Sequence, residues 1–108
     1  MSGKYEVKIT RQALEQMQEV VDYISHELYA PDAAYKLLDE MESMISSFAD
    51  MPKRISLVDE EPWHTEGIRK AVVKNFLIYF WVDDANKKVQ VAAVIYEKRD
   101  QLEQLKRI

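Results

Sequence analysis

The chain has 108 residues, of which 47% are hydrophobic and 31% charged, so we expect a single globular domain spanning residues 1–108. It contains no cysteine, which excludes disulfides and thiol nucleophiles and is typical of the reducing cytoplasm, where we expect the protein to act. No apolar run reaches the roughly 20 residues that a membrane span requires, and the N-terminus leads into a strand-like pattern rather than a signal peptide.

The net charge of −4 is unevenly distributed along the chain. Residues 1–31 carry three basic and five acidic side chains, residues 32–66 carry three and nine, and residues 67–108 carry nine and five. The three segments therefore have net charges of −2, −6 and +4. A basic C-terminal part can meet nucleic acid while the remaining surface stays acidic, although an ordinary solvated charge pattern is an equal alternative.

The N-terminal half of the chain is predicted to form one strand and two helices. Residues 4–9 alternate between polar and apolar side chains, which indicates a strand, and Thr10 offers an N-cap hydroxyl to the first helix. The second helix begins at Pro31 or Asp32 and ends near Met51. Apolar residues recur at intervals of three and four in both helices, so each helix has one apolar stripe. The stripes comprise Leu14, Met17, Val21, Ile24 and Leu28 in the first helix, and Ala34, Leu37 or Leu38, Met41, Ile45 and Phe48 in the second.

The C-terminal half is predicted to be mostly strands. Residues 52–66 lack periodicity and form a loop in this prediction. Residues 68–73, 76–83 and 89–96 are rich in β-branched and aromatic side chains, which indicates three strands joined by tight turns. A short helix is predicted over residues 100–108. The fold class is therefore α+β: an N-terminal strand, an antiparallel two-helix hairpin, and a three-stranded antiparallel meander that completes a four-stranded sheet, which the hairpin covers on one face.

Three segments of the C-terminal part combine a basic start, an aromatic strand and a basic tail. They are Gly67-Ile68-Arg69-Lys70, Asn75-Phe76-Leu77-Ile78-Tyr79-Phe80 and Ile95-Tyr96-Glu97-Lys98-Arg99-Asp100. Together and in this order they resemble the RelE/ParE superfamily of toxins from bacterial type II toxin–antitoxin systems, whose order of elements also matches the predicted one. The resemblance implies a growth-inhibiting toxin that a cognate antitoxin neutralises. No cofactor is expected, and two histidines without cysteine argue against a structural zinc site.

The resemblance leaves two activities open, and whether the chain is an enzyme depends on the choice. ParE-like members inhibit DNA gyrase, whereas RelE-like members cut messenger RNA on the ribosome. Leu77 stands where RelE-like toxins often carry an arginine, and Tyr96 stands where a histidine is common. A pI near 5.2 also fits a ribosome-binding nuclease poorly. These features favour the ParE-like, plasmid-stabilisation branch.

The nuclease alternative implies a definite set of catalytic residues. Arg69, Tyr96, Lys98 and Arg99 would converge at one edge of the sheet and act as phosphate clamp and acid/base group without a metal.

The binding alternative implies a different set, formed by Lys70, Tyr79 and Trp81. The two aromatic residues would form a strip on the outer sheet face that meets a partner or target. A binding module of the same fold without toxicity is a third hypothesis. The sequence also leaves open whether the chain forms a homodimer.

Overall fold

The fold is built around a four-stranded mixed sheet, as a computed structural model that describes residues 4–96 shows. In chain order, the elements are β1 (Glu6–Ile9), α1 (Arg11–Asp22), a π-helical turn (Tyr23–Glu27), α2 (Pro31–Ser47), a 3₁₀ turn (Pro52–Arg54), β2 (Arg69–Val73), β3 (Phe76–Asp83) and β4 (Lys88–Tyr96). The strand order is β1–β4–β3–β2, with β1 parallel to β4 and the other two pairs antiparallel.

This architecture confirms the predicted fold class, and every strand lies within two residues of its predicted bounds. The second helix begins at Pro31 as predicted but ends at Ser47, before Met51. The helix predicted over residues 100–108 lies outside the described residues.

The parallel pairing of β1 with β4 determines how the chain is arranged. Glu6 lies opposite Lys88, and Ile9 lies opposite Val91. Parallel neighbours cannot be joined by a tight turn, so the chain between them must cross from one end of the sheet to the other. The helical hairpin, residues 11–47, begins this crossing, and β4 becomes an interior strand with a partner on each side.

The main hydrophobic core lies between the helical hairpin and the sheet. Phe48, which follows α2, is fully buried and stacks on Phe80 of β3, with ring centroids 4.1 Å apart and an angle of 22° between the planes. The predicted stripe of the second helix is confirmed, since all of its members except the alternative Leu38 are buried. These members are Ala34, Leu37, Met41, Ile45 and Phe48.

The apolar stripe predicted for the first helix is confirmed in part, since Met17 is buried and Ile24 packs against the core. Leu14 and Leu28 are expected in the core, but the structure leaves them 52% and 55% exposed. Ala13 is instead completely buried beside Met17. The small Ala13 side chain allows α1 to pack closely on the sheet, which hydrophobicity alone does not predict.

A β-bulge in β4 is satisfied by side chains of α1 and its N-cap. The register between β3 and β4 shifts at Ala92, which has no partner on β3. The Thr10 hydroxyl donates to the Ala92 carbonyl at 3.2 Å and accepts from the N–H of Ala13 at 3.1 Å. Gln16 Oε1 accepts from the N–H of Val94 at 2.8 Å. Side chains at the start of α1 therefore pair with two backbone groups of β4, one at the bulge and one two residues beyond it.

The outer face of the sheet carries a second, smaller core. Val58 of the loop between the 3₁₀ turn and β2 packs on it, together with the partly buried Trp63. The prediction gave no cover for this face, because a loop without periodicity gives no sign of what it covers. The buried members of this outer core are Val58, Ile68, Leu77, Tyr79, Ala93 and Ile95.

Replacing Phe48 by alanine is expected to lower the free energy of unfolding by about 3–5 kcal/mol, because it removes a buried, stacked ring. Leu14→Ala is the matched control, with an expected loss below about 1 kcal/mol because that side chain is half exposed. Urea unfolding followed by circular dichroism measures both. Equal losses would contradict the face assigned to α1.

Thr10→Val is expected to lower the free energy of unfolding by about 1–2 kcal/mol, because it removes the N-cap and the bond to the bulge together. Thr10→Ser keeps the hydroxyl and should retain most of that stability. Thermal unfolding of both variants measures the difference. A serine variant as unstable as the valine variant would show that the hydroxyl is not responsible.

Candidate functional site

The sequence-predicted site residues in the described part of the chain lie on both faces of the sheet. Side chains alternate along a strand, so Arg69 and Tyr96 share the face that the helices cover. Lys70, Tyr79 and Trp81 lie on the outer face. The candidate catalytic and candidate binding residues are therefore separated by the sheet.

Arg69, the first residue of β2, holds the preceding loop against the sheet. Its Nη1 donates to the carbonyl of Ile55 at 2.5 Å and to that of Lys53 at 3.3 Å. Leu57 forms an isolated antiparallel bridge with Arg69. These contacts give Arg69 a structural role through Nη1, and its catalytic assignment stays a prediction.

Tyr96 lies at the far end of the sheet from Arg69. It is the last residue of β4, and its half-buried ring lies 5.3 Å from that of its cross-strand partner Phe76. Phe76 in turn pairs with Val73, four residues along β2 from Arg69. Steps of about 3.3 Å along the strand and about 4.8 Å between strands place the two Cα atoms about 16 Å apart. The structure does not bring Arg69 and Tyr96 together.

Lys98 and Arg99, the other members of the candidate nuclease set, lie outside the described residues. Their catalytic assignment stays a prediction.

Tyr79 is a core residue and is 1% exposed. It packs in the outer core with Val58 and Leu77. Burial, and secondarily the nearby Glu60 carboxylate, raises the pKa of Tyr79 to about 12, so the phenol stays neutral at physiological pH. The predicted aromatic strip on the outer face therefore does not include an exposed Tyr79.

The open part of the outer face is the Trp81 patch, formed by Trp81, Gln90, Lys8 and Lys70. Trp81 is 39% exposed and lies opposite Gln90, which pairs on its other side with Lys8 of β1. Lys70 is half-buried and lies opposite Tyr79, diagonal to Trp81. An exposed indole between ammonium groups can pack on apolar groups of a partner and pair with its carboxylates.

The outer edge of β2 is open beyond its first two residues. The N–H of Lys70 donates outward to the carbonyl of Ser56 at 3.4 Å. Val72 shares this orientation, so its N–H and carbonyl also point away from β3. No strand within residues 4–96 pairs with it on that side, and its side chain is 52% exposed. A groove beside Val72 separates β2 from α2, and Met44 and the Lys74–Glu40 ion pair (3.7 Å) line it.

Three cations that the sequence analysis does not single out gather near Tyr5. Lys53 Nζ lies 2.6 Å from Asp84 Oδ2, and this hydrogen bond raises the pKa of Lys53 and lowers that of Asp84. Lys87 Nζ lies 4.8 Å from the centroid of the Tyr5 ring, and Arg54 donates to carbonyls at the end of α2. These cations connect β1, the end of α2 and the β3–β4 turn, so their role is structural. Lys53 and Lys87 contact residues far away in the sequence, so no local motif could have indicated these two contacts.

Two kinds of site are missing from the described part of the chain. No group of three or more His, Asp or Glu side chains within residues 4–96 could hold a metal ion. No helix in that range is long and apolar enough to span a membrane.

Solved structures with the same fold are toxins of toxin–antitoxin systems. A chromosomal ParDE toxin–antitoxin system from P. aeruginosa aligns with a TM-score of 0.71 and 19% identity over 88% of this chain and 98% of that one. The RelBE2 toxin–antitoxin complex from Mycobacterium tuberculosis gives a TM-score of 0.60 and 16% identity over 86% and 98%. The isolated E. coli RelE toxin gives 0.51 and 15% over 95% and 97%. At these identities, the likeness establishes the fold.

Family assignment comes from the sequence itself. No curated protein matches the chain. The family model of the ParE toxin of the type II toxin–antitoxin system parDE matches residues 7–101, which is most of the 108-residue chain. The chain therefore belongs to the ParE toxin family of type II toxin–antitoxin systems, within the RelE/ParE superfamily.

Proposed function

We propose that this toxin arrests growth by binding and inhibiting a protein target such as DNA gyrase, and that a cognate antitoxin neutralises it. The observation that carries the proposal is the separation of Arg69 from Tyr96 by about 16 Å along and across the sheet. The chain belongs to the ParE toxin family. The resemblance to ParE-like toxins implies inhibition of DNA gyrase, so family membership supports gyrase as the target.

Ribonuclease chemistry needs an acid/base group and a cation at the same scissile phosphate. The Cα atoms of Arg69 and Tyr96 lie about 16 Å apart and Arg69 Nη1 is already bound to two carbonyls, so this arrangement does not bring both groups to one phosphate. Leu77, at the place where RelE-like toxins often carry arginine, is 3% exposed within the outer core. These features support inhibition by binding rather than by RNA cleavage.

The open edge of β2 supports neutralisation by an antitoxin that adds an extended segment there. Backbone groups of an edge strand pair readily with another chain, and exposed side chains beside the edge select the partner. Val72 offers an N–H and a carbonyl that no strand within residues 4–96 pairs, and the adjacent Trp81 patch offers apolar and cationic groups. The P. aeruginosa ParDE and M. tuberculosis RelBE2 structures are described as toxin–antitoxin assemblies, which supports an antitoxin partner for this chain.

A ribosome-dependent endoribonuclease is the second candidate function. The net charge of +4 over residues 67–108 favours it, because a basic segment can contact RNA. In that case Lys98 and Arg99 would supply the cations near Tyr96. A binding module of the same fold without toxicity would neither cut RNA nor arrest growth.

Purified toxin is expected to inhibit DNA supercoiling by purified gyrase. Tyr96→Phe keeps the ring contact with Phe76 but removes the hydroxyl, so it should inhibit within about threefold of wild type if no acid/base chemistry is involved. Gel assays of plasmid supercoiling measure both proteins. Unimpaired supercoiling at a large molar excess of toxin would refute gyrase as the target.

Val72→Pro is expected to weaken antitoxin binding by at least about tenfold, because proline removes the outward N–H of an edge strand without breaking the ladder to β3. Val72→Thr keeps the N–H and the branched side chain and serves as the matched control. Calorimetric titration with the cognate antitoxin measures the affinities, and growth arrest without antitoxin should persist in both variants. Unchanged affinity of the proline variant would place the antitoxin elsewhere.

A further inference from the structure

The end of the helical hairpin carries a concentrated group of exposed aromatic and apolar side chains. Tyr23, Leu28, Tyr29 and Tyr35 are 56%, 55%, 88% and 60% exposed. They account for half of the eight large hydrophobic residues that are exposed among residues 4–96, yet they fall within 13 consecutive positions. Scattered exposed hydrophobics are ordinary, but such a concentration marks an interaction surface. We call residues 19–36 the hairpin tip.

The backbone of Tyr29 is unfavourable for its residue type. Its φ is +52°, a conformation that suits glycine and that a tyrosine seldom adopts. The flanking N–H groups hold it there: Leu28 donates to the carbonyl of Tyr23 at 3.3 Å, and Ala30 donates to that of Ile24 at 3.1 Å. A ring that is 88% exposed contributes little packing to the fold in return. A tyrosine at this position is therefore better explained by contact with a partner than by stability.

The charges around the hairpin tip specify what kind of partner fits. Four carboxylates and one ammonium group lie within residues 19–36, and the whole hairpin, residues 11–47, carries eight acidic and only two basic side chains. This potential repels nucleic acid and repels the tip of a second copy, but it attracts a cationic segment. Tyrosine rings beside carboxylates can pack on the stems of lysine and arginine and form cation–π contacts. The charged residues of the tip are Glu19, Asp22, Glu27, Asp32 and Lys36.

Most of the hairpin tip lies outside the edge proposed for the antitoxin. The groove beside Val72 lies along α2 from Lys36 to Ser47, so Lys36 is the one tip residue that lines it. The rest of the tip, including Tyr29 and Tyr35, precedes that part of the helix. A segment paired with β2 therefore leaves these rings uncovered unless it extends past Lys36.

We propose that the hairpin tip is the target-docking element of this toxin, with Tyr29 and Tyr35 as anchors for a lysine- and arginine-rich, partly apolar segment of the target protein. This inference rests on the proposed function, in that a protein target is inhibited by binding. It adds which part of the toxin makes the contact and what chemistry the target must present.

The first test removes the two rings without disturbing the backbone. Tyr29→Gly accepts the positive φ, and Tyr35→Ala keeps α2 helical, so the double variant should fold at least as well as wild type. It is expected to lose at least about tenfold in gyrase inhibition and in growth arrest, with antitoxin affinity unchanged. Leu14→Ala, on α1 outside the tip and similarly exposed, is the matched control and should retain both activities. Undiminished inhibition by the folded double variant would overturn the inference while leaving gyrase as the target.

The second test identifies what touches the tip inside arrested cells. A photoreactive phenylalanine at position 29 is expected to crosslink to one host protein, at a peptide rich in lysine and arginine, and Glu27→Lys in the same chain should reduce the yield several-fold. If wild-type toxin spares purified gyrase but this charge-dependent adduct forms with another protein, the proposed target is wrong and the docking element stands. The inference would be overturned if no adduct formed, or if adducts formed only with a second copy or the antitoxin. Adducts whose yield Glu27→Lys does not change would also overturn it.

Discussion

The parallel pairing of β1 with β4 is the constraint on which the rest of the structure depends. It places the last described strand in the interior of the sheet and requires the helical hairpin to lie across one face. The bulge at Ala92 would leave backbone groups of this interior strand unpaired, but Thr10 and Gln16 satisfy them from the hairpin side. The position of α1 on the sheet and the register of β4 with its neighbours therefore depend on each other. Little freedom remains in where the functional side chains can lie.

The sheet register in turn determines which surfaces can act. It separates Arg69 from Tyr96, and the side-chain alternation places Lys70 and Trp81 on the opposite face. Within residues 4–96, the accessible surfaces include the edge of β2 beside Val72, an indole patch, and the acidic, tyrosine-rich end of the hairpin. The proposed antitoxin edge and the proposed docking element share only Lys36. Under the proposed function, inhibition depends on complementarity between the toxin and its target.

Much of the fold was accessible from the amino-acid sequence, and the failures have physical reasons. The second helix and the first strand follow from periodicity, and the other three strands follow from their content of β-branched and aromatic side chains. In the first helix, hydrophobicity identifies Met17 but not Ala13, which is buried for its small size while Leu14 is half exposed. Tyr79 was expected on an exposed aromatic strip, but a loop covers it and it is buried. That loop lacks periodicity, so nothing in the sequence indicated this cover. The family resemblance is confirmed by the match to the ParE toxin family. The contacts of Arg69 could not be predicted, because its carbonyl partners are 14 and 16 residues away in the sequence.

The proposed function requires that this toxin acts by binding and does not cut RNA. Primer extension on a messenger RNA in a purified translating system, with and without the toxin, distinguishes the two activities. A toxin that acts by binding leaves the message intact at concentrations that arrest growth in cells without antitoxin. New cuts that require ribosomes and disappear in Arg99→Ala would contradict the proposed function and establish the nuclease in its place.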